Sequence, residues 1–370
     1  MGGARWLLGG LAVASVLALA GCRGENRPNV EIIGGASASV SGADDPALNA
    51  NSGARYTMTT QQDLALQASL DLRDLRIIIN PALDGRPVEW ERATALYAQG
   101  KNQRRADGTI RPLASLAAEP MPAAFPDAAR VYGREGFLDA MIREGLSGTG
   151  RAQGLGDNAR REIVDRGVQA VLYGQTLQQL ALAQSRAATK DAGAAAALDA
   201  AWAFAAGAPD SEGARAYALI RTASEREADF KLTGRIAKPL EERFIAAREA
   251  IERGDGAAAE RAIAEVRGTL NAVAVLSTLR PARPLSQETD AADRRVLLEE
   301  GRSAFAAIRA QVAAASADAA QAVEAAYDRP ADQAFPPDQV SRVYAALNDP
   351  AVVRALAIPP ALQVKTAPTQ

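Results

Sequence analysis

Apolar residues recur at intervals of three and four along most of this chain, and this spacing limits the fold more than any other feature of the sequence. Such spacing gives each segment one apolar stripe, as on an amphipathic α-helix. It begins at about Thr60 and continues to Leu347, with short joints that contain Gly, Pro or Asp. This region has no convincing strand pattern. The sequence therefore predicts an all-α fold, an antiparallel multi-helix bundle.

Three segments of this region carry specific expectations. Asp157 or Asn158 is expected to cap a long helix. The proline-rich residues 101–128 predict an irregular connection, which is interpreted as a surface loop with no role, the alternative being a functional loop, as connections of this length often are. A single long helix is predicted from about Ser286 to Tyr327. The long helix after Asp157 is indicated by the stripe Val164, Val168, Val171, Leu172 and Leu180.

The chain contains no histidine, and its single cysteine is Cys22. The absence of histidine excludes Ser-His-Asp and Cys-His catalysis, HExxH zinc proteases and zinc sites of the Cys/His type. A metal site would have to be built from carboxylates, tyrosine, backbone carbonyls and water. Such ligands suit hard cations such as ferric iron, manganese or calcium.

The N-terminus has the pattern of a bacterial lipoprotein signal. Arg5 precedes an uncharged apolar run from Trp6 to Ala20, which ends in Leu-Ala-Gly before Cys22. A run of this length suits a signal peptide and is short for a membrane span. We expect the Cys22 thiol to take a diacylglycerol and to become the new N-terminus, which gives stable anchoring. The alternatives are an ordinary secretory signal with a chance cysteine, or a short anchor helix.

Cys22 is followed by Arg23 rather than by Asp, so nothing here signals retention in the inner membrane. We therefore expect attachment to the outer membrane, facing the periplasm. Removal of residues 1–21 takes away one charged residue, Arg5, and changes the net charge from −2 to −3. This charge balance argues against a nucleic-acid partner.

Composition divides the chain into four parts. Residues 1–21 are the predicted signal peptide, and residues 22–58, rich in Gly, Ala and Ser, are the predicted lipidated cysteine and flexible tether. Residues 59–350 form the predicted helical bundle. Residues 351–370 are expected to be a loose C-terminal tail.

Pairs of acidic residues at helical spacing are the candidate metal ligands. Two carboxylates three or four residues apart share a helix face and could bind a cation together. We take Asp71, Asp74, Glu225 and Asp229 as the candidate ligands, with Glu162 and Asp165 as a further pair. Arginines lie next to each pair, so surface ion pairs explain the pattern equally well.

Two other motifs favour simpler interpretations. The glycine-rich segment 145–156, "GLSGTGRAQGLG", lacks the Lys-Ser/Thr of a Walker loop and follows a predicted helix, so it is interpreted as a joint. The basic group Lys101, Arg104, Arg105 and Arg111 lacks interleaved aromatic residues. It is interpreted as a solvated surface, the alternative being a contact with anionic lipid or an anionic ligand.

Five segments occur in an order that resembles a known family. They are "ERATALYAQGKN", "IRPLASLA", "REIVDRGVQAVLYGQTLQQL", "AAWAFAAG" and "READFKLTGRI", and the similarity covers about residues 64–280. Together they resemble the iron-deficiency-induced periplasmic proteins of green algae, the iron-assimilating protein family, which has bacterial relatives. The resemblance implies an all-helical, secreted or periplasmic protein of iron uptake without known enzymatic activity.

The chain departs from this family at one place. In the family, "AWAF" is followed by Tyr and one further residue before Gly, whereas Ala205 and Ala206 occupy these positions here. A possible phenolate ligand to iron is thereby lost. The imelysin-like proteins, a second helical periplasmic group, are marked by a histidine motif that this chain cannot carry.

The sequence thus predicts a lipid-anchored helical protein that binds a metal, such as iron or another hard cation, or a small ligand for uptake. The alternative is a structural or interaction lipoprotein whose alanine-rich faces dock another envelope protein. No enzymatic activity is expected, although a carboxylate-only glycosidase is possible in principle.

Overall fold

A computed structural model describes residues 56–209 and 217–367. In this part of the chain all regular secondary structure is helical, apart from an isolated antiparallel bridge between Arg104 and Ile110. The prediction of an all-α bundle is confirmed. The predicted signal peptide, the lipidation of Cys22 and the tether up to residue 55 lie outside the described residues.

The helices differ widely in length, and short 3-10 turns cover Asn80–Asp84, Gly150–Ala152 and Pro360–Leu362. In chain order they are α1 (Asp63–Ile79), α2 (Trp90–Gln99), α3 (Leu113–Ala118), α4 (Ala128–Tyr132), α5 (Phe137–Ser147), α6 (Asp157–Ala188), α7 (Gly193–Ala206), α8 (Leu219–Asp229), α9 (Ala237–Glu252), α10 (Gly256–Leu279), α11 (Ala282–Gln287), α12 (Ala291–Phe305), α13 (Arg309–Ala315), α14 (Ala317–Tyr327), α15 (Pro337–Leu347) and α16 (Pro350–Ala355).

The longest of these helices, α6, has 32 residues and packs against α5, α7, α10 and α12. The predicted stripe from Val164 to Leu180 is buried. The helix begins at Asp157, so the predicted cap at Asp157 or Asn158 is wrong: the N-cap position is Gly156 and no side chain caps it. Gly167 brings α6 close to α5, because a Cβ atom at this position would lie 2.5 Å from Cγ1 of Ile142.

The second long helix, α10, is also a core element. The stretch Gly256–Gln287 is long and apolar enough to cross a membrane by length and composition alone, yet 78% of its most apolar window is buried inside the bundle. It packs against α6, α9 and α12. Burial against these helices accounts for its apolar character.

The folded body begins earlier than predicted. The predicted tether ends at Met58, but the side chains of Tyr56 and Met58 are buried. The Asp199 carboxylate of α7 accepts hydrogen bonds from the Tyr56 hydroxyl at 2.8 Å and from the backbone N–H of Thr59 and of Thr60, both at 3.0 Å. It also pairs with Arg248 of α9. These contacts of Asp199, which we call the Asp199 clamp, fix residues 56–60 against the core.

The prediction of a loose tail at 351–370 is wrong for the residues up to 367. Pro350 begins α16, a position where proline costs no hydrogen bond. Leu356 and Leu362 are buried beyond it, and the Ala357 carbonyl lies against Gly268 of α10. Pro350 and Pro360 thus begin a helix and a 3-10 turn.

The single helix predicted from Ser286 to Tyr327 is also wrong. The chain forms α12, α13 and α14 here, with a turn at 306–308 and an extended residue at Ser316. The Ser316 hydroxyl caps α14 by accepting from the Ala319 N–H at 3.2 Å. The apolar spacing continues across both breaks, so periodicity alone does not reveal them. The irregular connection predicted at 101–128 contains the short helices α3 and, at its end, α4.

Candidate functional site

Asp71 acts as an anchor for the loop that follows α2. It is fully buried on α1. Its Oδ1 accepts from the N–H groups of Lys101 and Asn102 at 3.2 and 2.9 Å, and its Oδ2 accepts from the Gln103 side chain at 3.0 Å. Burial raises the pKa of Asp71, although these hydrogen bonds oppose the shift. Protein donors thus occupy both oxygens of this predicted metal ligand.

Asp74, one turn further along α1, is held by cations of the protein itself. Arg73 donates to Oδ1 at 2.8 and 2.6 Å, and the Lys101 ammonium donates to Oδ2 at 2.8 Å. Burial alone would raise the pKa of Asp74, but Lys101, Arg73 and Asn102 outweigh burial and lower it. The carboxylate is therefore ionised and already neutralised.

Glu225 and Asp229 lie on α8 and pair with three arginines. Glu225 contacts Arg221 at 3.0 Å, and Asp229 contacts Arg226 at 3.0 Å and Arg280 at 3.4 Å. The Arg226 side chain is buried, and burial is the largest cause that lowers its pKa to about 10. No group of three or more acidic residues that could hold a metal ion occurs within the described residues. The four predicted ligands are thus not brought together as one metal centre.

The pair Glu162 and Asp165 belongs to an ionic network inside the bundle. Arg166 of α6 contacts Glu162 at 3.3 Å and Glu300 of α12 at 2.9 Å. Asp165 accepts from Arg76 of α1 at 2.5 Å. Buried charges are tolerated when they are paired in this way. Arginine thus balances these carboxylates, and the network joins α1, α6 and α12.

A cleft of about 330 Å³ opens between α5, α12 and α14, and its size is within the range of small-molecule sites. We call it the arginine cleft, because Arg134, Arg151, Arg302 and Arg309 line it. The acidic residues of its lining are Glu144, Glu324 and Asp328, so the lining carries a formal charge of +1.

Two of these arginines are held side by side by one buried carboxylate. Glu299 of α12 is 1% exposed; its Oε2 accepts from Arg151 and its Oε1 accepts from Arg302, both at 3.2 Å. Arg151 also donates to the Ser303 hydroxyl at 2.8 Å. Burial lowers the pKa of Arg151, and the neighbouring Arg302 lowers it further while Glu299 opposes both. The Nε atom of Arg151 is buried and has no hydrogen-bond acceptor.

The opposite wall of the arginine cleft is built on Tyr132 of α4. Its ring stacks on Phe137 with centroids 3.4 Å apart and planes at 4°, and its hydroxyl donates to the Ala306 carbonyl at 2.8 Å. The Arg309 guanidinium lies 5.0 Å from the Tyr132 ring centroid and pairs with Glu324. These contacts hold Arg309 in one orientation at the cleft wall.

Apolar side chains and a glycine contact complete the arginine cleft. Phe137, Met141 and Phe305 are buried in its lining. A Cβ atom at Gly301 would meet the Tyr327 ring, so this glycine allows α14 to pack directly against α12 beside Arg302. The site combines fixed guanidinium groups with an apolar surface.

Sequence reasoning did not identify any of the four cleft arginines. Among these four, Arg151 alone lies in a segment that the sequence singled out, the glycine-rich segment interpreted as a joint. The helix before this segment, α5, is present as predicted. The other three arginines come from separate elements, and no spacing along the chain connects them.

The described surface is poor in large exposed hydrophobic side chains. Ile77, at 40% exposure, is the one large hydrophobic residue that is strongly exposed in the ranges 56–209 and 217–367. Alanines such as Ala95, Ala188 and Ala345 are exposed, whereas no leucine in these ranges is.

Comparisons with known proteins add no relative: no family model, no curated protein and no solved structure matches this chain. The resemblance to the iron-assimilating protein family stays a prediction.

Proposed function

We propose that this chain is a lipid-anchored helical protein of the bacterial cell envelope that binds a small ligand in the arginine cleft. The observation that carries the proposal is the pair Arg151 and Arg302, held next to each other by the buried Glu299 at the wall of a concave site. Fixed polar groups beside an apolar surface are the usual composition of a ligand pocket.

The anchor is supported by the lipobox that ends in Cys22. Attachment through this residue would place the helical body beside the outer membrane, in the periplasm. Growth of an expressing bacterial host with labelled palmitate tests this part. Label on the wild type and none on Cys22→Ala is the expected result, and an unlabelled wild-type chain would overturn it.

A small ligand explains the arrangement of charges better than a metal. A hard cation such as iron needs several free carboxylate oxygens. The oxygens of Asp71 and Asp74 accept from protein donors, and Glu225 and Asp229 pair with arginine. The structural or interaction lipoprotein remains the alternative, although Ile77 is the one large hydrophobic residue exposed on the described surface.

Thermal melts of the full-length protein in mild detergent distinguish the ligand from the metal. A small-molecule extract of bacterial cells is expected to raise the melting temperature of the wild type, since a ligand that binds only the folded state stabilises it. The rise should disappear in Arg302→Gln. The matched control is Arg342→Gln, because Arg342 makes an exposed ion pair with Asp338 at 3.1 Å.

Iron, manganese, zinc and calcium are tested in the same melts. A rise produced by one of these cations and lost in Asp229→Ala would replace the proposal with a metal-binding function. The same result with Asp71→Ala would have the same meaning, because both residues belong to the predicted ligand set.

A further inference from the structure

We infer that the ligand of the arginine cleft is a small organic anion whose carboxylate or phosphate group is bound by Arg151 and Arg302. The inference rests on the proposed function and adds the chemical class of the ligand. Three features of the cleft support it: the charge of Arg151 and Arg302, the hydrogen-bond donors of the Arg151 guanidinium, and the apolar surface beside this pair.

The charge at the wall of the arginine cleft favours an anion. Glu299 is a single buried carboxylate that accepts from two guanidinium groups, so the pair Arg151 and Arg302 keeps one positive charge. The second carboxylate in contact with Arg302 is Asp328, whose side chain is 58% exposed and therefore screened by solvent. A positive charge balanced only by an exposed carboxylate favours the binding of an anion beside it.

The hydrogen-bond donors of Arg151 also suit an oxyanion. A guanidinium has five N–H groups in a planar fork that matches the two oxygens of a carboxylate or phosphate. Glu299 and Ser303 both accept from Nη2 of Arg151. The Nε atom has no contact with solvent, but the side chain is 25% exposed, so an oxyanion in the cleft would accept from the Nη groups.

An apolar surface lies next to the arginine pair. Phe137, Met141 and Phe305 present apolar groups to the same cleft of about 330 Å³. Inorganic phosphate would leave this surface in contact with water. A short hydrocarbon attached to the anionic group would cover it and gain from the hydrophobic effect.

The charge of the lining also argues against a cationic ligand. Each of the three lining carboxylates already contacts an arginine: Glu144 with Arg134 at 3.0 Å, Asp328 with Arg302 at 2.6 Å, and Glu324 with Arg309. These carboxylates are therefore already neutralised, whereas the lining as a whole keeps one positive charge.

Isothermal titration of the full-length protein with four matched probes tests the inference. The probes are butyrate, propyl phosphate, n-butanol and n-butylamine, which share a short hydrocarbon and differ in their polar group. We expect butyrate or propyl phosphate to bind, and the tighter of the two identifies the head group. Butanol and butylamine should bind at least about tenfold more weakly, because they lack a charge-assisted pair with arginine.

Variants connect the binding to the arginine pair. Arg151→Gln and Arg302→Gln should each weaken anion binding by about tenfold or more, and Arg342→Gln should leave it unchanged. Arg302→Lys keeps the positive charge and is a safer substitution for folding. It should still weaken binding, because lysine lacks the planar pair of donors.

Three results would overturn the inference: equal binding of butylamine or butanol, anion binding that persists unchanged in both Gln variants, or no binding of either anion. The thermal melts with cell extract test independently of these titrations whether the arginine cleft binds any ligand. A stabilising extract whose effect requires Arg302, together with tighter binding of butylamine, would retain the cleft as a ligand site and reject the anion.

Discussion

Asp199 is fully buried, and donors from two parts of the chain surround its carboxylate: residues 56–60 and helix α9. It accepts from Tyr56, Thr59 and Thr60 and pairs with the buried Arg248. A buried ion pair contributes little compared with an apolar pair, but the loss of one partner is costly because the other charge stays buried. The same logic holds for each carboxylate of the ionic network on α6.

The substitution Asp199→Asn tests this clamp. It would leave Arg248 with the exposed Glu252 as its nearest carboxylate, 3.7 Å away. We expect the free energy of unfolding to fall by about 3 kcal/mol or more, measured by urea denaturation. Asp338→Asn removes one partner of an exposed pair and should change it by less than about 0.5 kcal/mol. Equal effects of the two substitutions would contradict the role of the clamp.

Asp165 gives the network a defined pH dependence. Burial would raise the pKa of Asp165, but Arg76 and Arg166 outweigh burial and hold the pKa well below its ordinary value. A carboxyl group whose pKa is lower in the folded than in the unfolded state stabilises the protein at neutral pH. This contribution is lost as the pH falls below about 4, the ordinary value of Asp.

The corresponding variant is Asp165→Asn. At about pH 7 its free energy of unfolding should lie about 3 kcal/mol below that of the wild type. The difference should shrink as the pH falls from about 4 toward about 2, because the carboxyl of the unfolded wild-type chain takes up a proton in this range while that of the folded chain stays ionised. Urea denaturation across this range measures it. A difference that stays constant over the whole range would show that Arg76 and Arg166 do not depress this pKa.

The sequence allowed part of this residue-level picture to be predicted. The spacing of Asp71 with Asp74, and of Glu225 with Asp229, correctly placed each pair on one helix. The alternative of ion pairs with neighbouring arginines is confirmed for Arg73 with Asp74 and for Arg226 with Asp229. The further partners Lys101 and Arg280 could not be predicted, because they reach these carboxylates only in the folded chain. A metal cation was expected at these carboxylates, but their positive partners are arginine and lysine side chains of the protein.

At the scale of helices, small residues determine how closely the elements approach. Gly167 of α6 faces Ile142 of α5, and a Cβ atom there would lie 2.5 Å from the Ile142 side chain. The side chains of a packed core have little room to move apart. The contact between α5 and α6 therefore depends on the absence of a side chain at this position.

Gly167→Ala should destabilise the protein by about 1–2 kcal/mol, since the strain of overpacking exceeds the gain in helix propensity. The free energy of unfolding in urea is the measurement. The additional substitution Ile142→Val should recover part of the loss, because the two positions are in contact. Gly156→Ala is the control: a Cβ atom at Gly156 meets nothing within 4 Å, so any loss reflects only the weaker N-cap preference of alanine, and Ile142→Val should not recover it.

Helix breaks without proline or glycine were harder to predict than the helices themselves. Between α12 and α14 the apolar spacing is uninterrupted, and the breaks depend on a turn at 306–308 and on the cap at Ser316. A serine followed by alanines is compatible with a continuing helix as well as with a cap. Tertiary packing selects the cap here.

Over the whole molecule, the candidate site is formed by parts of the chain that are distant in sequence. Arg134 and Arg151 flank α5, whereas Arg302 and Arg309 belong to α12 and α13. Helical periodicity predicts that these elements exist but not which of them meet. The arginine cleft could therefore not be predicted, although the bundle that contains it could.

The C-terminal segment is a further test at this scale. Leu356 follows α16 and is fully buried. Leu356→Ala should lower the free energy of unfolding by about 2–4 kcal/mol, because it leaves a cavity in the core. The exposed Arg354 serves as the control, and Arg354→Ala should cost less than about 0.5 kcal/mol. A neutral effect of Leu356→Ala would restore the prediction of a loose tail.

Native mass spectrometry of the full-length protein, after incubation with a small-molecule extract of bacterial cells, tests the central claim most directly. The account predicts an added small mass on the wild type and on Arg342→Gln, and its loss from the double variant Arg151→Gln/Arg302→Gln. An added mass that persists without both cleft arginines, or its absence from the wild type, would contradict the claim that the arginine cleft binds a ligand.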